Sequence, residues 1–227
     1  MGQERRPAGR SPRRAGGERK PREERWAELL GVATQVFYEK GYDGASLQDI
    51  ADRLGMLKGS LYYYIQSKED LLHDVISSVH RDGLAVITEA ASGDGEPLTR
   101  LERVIRRHVE HTCRHLVPTA VFLHELDALP RDRRQAVLGS EHVYQGVFRD
   151  LVAEAQRAGS VRADVDPRLA GLSILGSTNW VYRWFRPEGP SNPEEIGRHL
   201  AEMAIRGVAT TAALVERDER SALQVAG

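Results

Sequence analysis

The stretch SLQDIADRLGMLKGSLYYYIQSK, residues 46–68, gathers hydroxyls and ammonium groups onto a very short segment. Three consecutive tyrosines, Tyr62, Tyr63 and Tyr64, cannot all face a core, because neighbouring helical residues point about 100° apart. With Lys58, Ser60 and Lys68 they offer donors suited to phosphate oxygens and base edges, and tyrosine rings can lie against sugars and thymine methyls. That is the chemistry of holding a duplex, not of breaking bonds. The chain has no nucleophile elbow, no phosphate-cradling glycine loop and no metalloprotease motif, so no catalytic residue is expected. His108, His111 and His115 recur on one helical stretch near Cys113 and raise the possibility of a metal. No carboxylate or thiolate shares their face cleanly, so a polar helix face beside a cavity is the simpler reading, and neither metal nor cofactor is expected.

The elements that must position these groups are helices. Trp26, Leu29, Leu30, Ala33, Val36 and Phe37 keep the spacing of one apolar helix face, which Gly41 ends. Leu47, Ile50, Ala51 and Leu54 predict a short second helix stopped by Gly55, with Ser46 and Asp49 as a capping box. A third helix is expected over about Lys58–Tyr64, and Ser67 caps a long fourth one. Two short helices around a glycine turn have the dimensions of a helix-turn-helix, whose second helix lies in the major groove. Leu47, Ile50, Ala51, Leu54, Met56, Leu61 and Ile65 would hold the unit together.

Beyond a break at SGDGEP, residues 92–97, further helical patterns run to the C-terminus, the last over about 194–215. No alternating strand pattern is present. The reading is all-α with about nine helices: a basic disordered arm at 1–21, a helix-turn-helix domain at 22–70, a larger helical domain at 71–218, and a flexible tail at 219–227. Leu200, Met203, Ala204, Gly207, Val208, Thr211, Leu214 and Val215 would line one side of the last helix and pair with a second copy.

The 227 residues carry a formal net charge of -1, unevenly spread. Residues 1–25 hold nine Lys or Arg against four Glu, which suggests a polyanion near the N-terminus. Cys113 is the one cysteine, which excludes an intrachain disulfide and fits a reducing cytoplasm. No run of ~18 apolar residues exists to span a membrane, so no membrane partner is expected.

Between residues 24 and 72 the sequence resembles the TetR family of bacterial transcriptional repressors. Its signature is carried by Ser46, Ile50-Ala51, Leu54-Gly55, Gly59-Ser60-Leu61-Tyr62 and Ser67-Lys68-Glu69. The resemblance implies DNA contacts at Ser46, Leu47, Gln48, Lys58, Gly59, Ser60, Tyr62, Tyr63, Tyr64 and Lys68. It also implies that 71–218 is a ligand-binding and dimerisation domain, and that a homodimer sits on a palindromic double-stranded DNA operator with the last two helices packed against their twins. Residues 177–200, STNWVYRWFRPEGPSNPEEIGRHL, resemble the TetR-type regulators of fatty-acid and sterol-ring degradation, whose effectors are acyl-CoA thioesters. Trp180, Arg183 and Trp184 are then candidate ligand contacts, as are Phe122 and His124 on the helix after Pro118. The expected function is a ligand-responsive repressor released from its operator by an acyl-CoA thioester or similar lipid-degradation intermediate. A repressor sensing a hydrophobic drug-like molecule and a DNA binder without an effector are the alternatives.

Overall fold

The computed structural model describes residues 21–226; the expected basic arm lies outside them but for Pro21. Eleven α-helices follow in order: α1 (Arg22–Gly44), α2 (Leu47–Arg53), α3 (Lys58–Leu61), α4 (Lys68–Ser92), α5 (Pro97–Arg114), α6 (Leu116–Glu125), α7 (Arg131–Arg157), α8 (Pro167–Asn179), α9 (Val181–Trp184), α10 (Pro193–Val208) and α11 (Thr211–Ala226). α3 and α9 are single turns, and a 3-10 turn at Leu126–Ala128 joins α6 to α7. Among the described residues the chain makes one isolated β-bridge, Val161 to Ala209, and no sheet.

Apolar periodicity becomes packing in three clusters. The first takes Phe37 from α1, Ile50 from α2, Leu61 from α3 and Leu71 and Ile76 from α4, all fully buried. It does not close on itself: Val121 of α6 and Val137 of α7 belong to the same cluster. The helix-turn-helix is therefore bolted to the C-terminal helices by shared core. The second cluster joins α4, α5, α7, α8 and α10 around Leu101, Ile105, Phe148 and Ile205. The third holds Val109, Cys113, Val181, Phe185 and Ile196. There Gly197 lets α10 approach α5 closely, since a Cβ at that position would lie 3.2 Å from the Arg106 carbonyl oxygen.

Three boundaries depart from expectation. The third helix ends at Leu61, and Tyr62–Tyr64 form a turn instead of helix. The long last helix is two helices, broken at Ala209 and Thr210, where Arg162 N–H donates to the Val208 carbonyl and Thr210 N–H to the Ser160 carbonyl. α11 then runs through most of the expected tail. Consequently the proposed apolar side is divided: Ala204, Val208 and Leu214 pack on the second cluster and Leu200 on the third, while Met203, Gly207, Thr211 and Val215 stay exposed.

Candidate nucleic-acid interface and effector cavity

The reading head is built by local chemistry. Ser46 caps α2, its Oγ accepting from Asp49 N–H at 3.2 Å while the Asp49 carboxylate accepts from Ser46 N–H at 2.9 Å. Asp is long enough for the reciprocal box. Lys40 donates to Asp49, and Arg53 pairs with Glu39, so both ends of α2 are tied to α1. These partners hold the Asp49 and Glu39 carboxyls down to about 2, the hydrogen bond from the cation leading in each case. After α2 the chain turns on Gly55 at φ +62°, with Gly55 N–H on the Asp52 carbonyl and Met56 N–H on the Ala51 carbonyl. That pair of bonds is a Schellman cap, which only a residue tolerant of the left-handed region closes without strain.

The outcome is a ridge of exposed groups: Ser46, Gln48, Leu57, Lys58, Gly59, Tyr62 and Tyr63, with Ser60 half-buried among them. Tyr63 is 85% exposed and Leu57 80%. No helix of the described chain covers this ridge, and its donors fit a phosphate backbone and base edges.

Three expected contacts point elsewhere. Leu47 is buried in the first cluster, and Tyr64 is half-buried against the same cluster. Lys68 aims inward. Its Nζ donates to the Tyr42 carbonyl at 2.6 Å and the Ala45 carbonyl at 2.8 Å, and lies 4.1 Å from the Tyr42 ring centroid. The ammonium thus adds a charged donor to carbonyls at the end of α1, just beyond Gly41 at φ +68°. Adjacent to it, Arg133 of α7 pairs with Glu69 and Asp70 in the first turn of α4, a polar tie between the two halves of the chain.

A small inner cavity of about 50 Å³ lies between α4, α5, α6, α7 and α8. Phe122 lines it as expected, beside His80, Gly83, His108, Tyr144 and Asn179. His108 Nε2 is 3.0 Å from Asn179 Oδ1, an acceptor, so Nε2 carries the proton and Nδ1 accepts from the Tyr144 hydroxyl at 2.8 Å. Burial holds this imidazole neutral, pushing its pKa down to about 4. Both ring nitrogens of His108 are thus engaged within the chain. His111 and His115 instead stack on each other with centroids 4.3 Å apart.

The other ligand candidates fall outside this cavity. His124 and Arg183 line a separate surface hollow of about 330 Å³ with Tyr38 and Arg186, where His124 Nε2 meets the Tyr182 hydroxyl at 2.7 Å. Trp180, 58% exposed, and Trp184, 48% exposed, line neither space. No spacing in the sequence points to His80, Tyr144 or Asn179 as lining residues. Tyr144 reads as one more apolar residue on a helix face, and its polar tip finds its use only when α5 is packed beside it.

A capped α2, a Schellman turn and an uncovered recognition turn, fixed to an all-helical body with an inner cavity, define a helix-turn-helix DNA-binding protein with an effector domain. Residues 29–75 match the family described as bacterial regulatory proteins, tetR family, and residues 94–208 match the tetracyclin repressor-like C-terminal domain. The chain belongs to the TetR family and is a DNA-binding transcription factor, not an enzyme. The transcriptional repressor KstR2 of Mycobacterium tuberculosis is 26% identical over 81% of this chain and 92% of its own length. The transcriptional activator FasR of Mycolicibacterium smegmatis is 30% identical over 78% of this chain and 80% of its own. The crystal structure of AibR in complex with isovaleryl coenzyme A and operator DNA is similar with a TM-score of 0.73, at 27% identity over 79% of this chain and 97% of that one. Among the described residues, no helix is long and apolar enough to cross a membrane.

Proposed function

We propose that this protein is a homodimeric repressor that reads a palindromic operator with the ridge from Ser46 to Tyr63 and leaves it when an acyl-CoA thioester binds. The observation that carries the DNA reading is the exposure of Tyr62, Tyr63, Lys58 and Leu57 on an otherwise well-packed helix-turn-helix. A ridge this rich in large side chains costs apolar surface left wet, which a duplex would cover. Dimerisation is supported by an apolar stripe along α8 and its C-cap, Leu169, Leu172, Gly176 and Trp180, spaced on one face and exposed, with Met203 of α10 exposed as well. The thioester is supported by the likeness to AibR, whose crystal structure is a complex with isovaleryl coenzyme A. A cytoplasmic location follows from that role.

Effector action needs two spacings of the reading heads and a ligand with unequal affinity for them. The test is a gel shift on the DNA upstream of the protein's own gene, with purified full-length protein and increasing isovaleryl, octanoyl or palmitoyl coenzyme A. Retarded DNA freed by one thioester and not by coenzyme A alone is the expected result. No retardation at low salt removes the operator reading, and retardation indifferent to every thioester removes the effector.

A further inference from the structure

The inner cavity is too small for any thioester, since about 50 Å³ compares with ~300–1,000 Å³ for ordinary ligand sites. A second space of about 250 Å³ adjoins it, and the two share Val79 and His111 as walls. This outer cleft runs between the helix-turn-helix domain and the body. From α1 it takes Ala27, Leu30, Gly31 and Thr34, and from α4 Val75, Ser78, Val79 and Asp82. Both sets follow the i, i+3, i+4, i+7 spacing of a single helix face, so the cleft is a straight slot about two turns long. His111 and His115 of α5 form its third side. Small residues keep it open: a Cβ added at Gly31 meets no atom within 4 Å.

We propose that the inner cavity and this interdomain slot are two halves of one effector site. The acyl group enters the inner cavity, and the pantetheine arm lies in the slot against α1, with the His111 ring as the partition that turns aside. The inference rests on the acyl-CoA reading above and adds which helix of the DNA-binding domain the effector touches. The lining chemistry selects the arm. Apolar Leu30, Val75 and Val79 suit its methylenes and geminal methyls, while the Ser78 hydroxyl and the His111 and His115 imidazoles are within the slot for its amides and hydroxyl. No Lys or Arg lines the slot and Asp82 does, which sends the diphosphate outside. Filling the slot pushes α1 from α4, and α1 carries α2 through Glu39–Arg53 and Lys40–Asp49. Occupancy therefore moves the reading head directly.

The experiment measures binding of isovaleryl coenzyme A and S-isovaleryl pantetheine by full-length protein, wild type and variants, by calorimetry, with operator binding measured in parallel. Gly31→Leu should weaken both thioesters about tenfold or more, and Gly31→Ala should bind nearly as wild type. Ser78→Leu blocks the slot from the α4 side and should repeat the loss, guarding against a folding defect at Gly31. Thioester binding unchanged in both leucine variants overturns the slot while leaving the acyl-CoA reading intact. If the wild type binds no thioester in a panel from isovaleryl to palmitoyl, the acyl-CoA reading fails, and the slot with it.

Discussion

The ammonium of Lys68 sits 2.6 Å from the carbonyl oxygen of Tyr42 and 4.1 Å from the centroid of the same residue's ring. One side chain at the start of α4 thereby fixes the turn that joins α1 to α2. Hydrogen bonds from a charged donor contribute more than neutral ones, about 1.5–3 kcal/mol. Lys68→Met keeps the stem and removes the charge, so it should destabilise the protein by about 1–3 kcal/mol, seen as a lower thermal midpoint. Lys58, exposed on the ridge, behaves oppositely. Lys58→Ala should leave the midpoint within about 0.5 kcal/mol and reduce the salt slope of operator binding by about one phosphate contact. A Lys68→Met variant that melts like wild type contradicts the internal role.

The tyrosine triplet divides the same way. Tyr63 touches little of its own chain, whereas Tyr64 packs on the first cluster. Tyr63→Ala should therefore leave stability unchanged and cost operator affinity about tenfold. Tyr64→Ala should lose about 1–2 kcal/mol of stability. Denaturant titration beside a gel shift separates the two, and equal stability losses for both would remove the outward placement of Tyr63.

Local signals in the sequence went far. The Ser46–Asp49 box and the turn at Gly55 are set by groups within five residues of each other, and both form where the spacing predicts them. Non-local events were not legible. The break at Ala209–Thr210 has no proline or left-handed glycine to announce it; it is imposed by Ser160–Arg162, some fifty residues earlier, which bond its backbone. Lys68 carries a family signature but finds its partners twenty-three and twenty-six residues away. The candidate cavity was half visible for the same reason. Phe122 stands out on its own helix, but His80, Tyr144 and Asn179 come from three other helices, and the spacing along one element says nothing about a meeting of four.

The exposed stripe on α8 predicts a clean separation of assembly from folding. Leu172 is 38% exposed and outside all three clusters, so Leu172→Glu leaves the clusters of one copy intact. Between two copies it would face its own equivalent, and two buried carboxylates at a symmetric contact repel. Sedimentation should show a folded monomer for this variant and a dimer for wild type. Operator affinity should fall by about two orders of magnitude, because two half-sites no longer bind as one. A Leu172→Glu dimer as tight as wild type would move the interface elsewhere.

Stability should fall with mild acid before the surface carboxylates titrate. His108 is buried and neutral, and its pKa is lowered to about 4 by burial, only partly opposed by its bond to Asn179. An unfolded chain returns it to about 6.5, so below that pH the unfolded state holds a proton that the folded state refuses. The neutral imidazole's contribution is whole above 6.5 and is lost as the pH drops towards about 4, a total of about 3 kcal/mol. His111, lowered by burial and then by His115, acts in the same direction. Glu39 and Asp49 contribute at lower pH, since carboxyls held at about 2 lose their advantage only below about 4.5. Urea titrations at pH 7.5, 6 and 5 should therefore show a falling midpoint across a range where an ordinary carboxylate-driven curve is flat. His108→Gln keeps a donor and an acceptor but cannot titrate. It should flatten most of that fall, and a midpoint in the parent protein that holds constant from 7.5 to 5 would mean that His108 takes up its proton in the folded state.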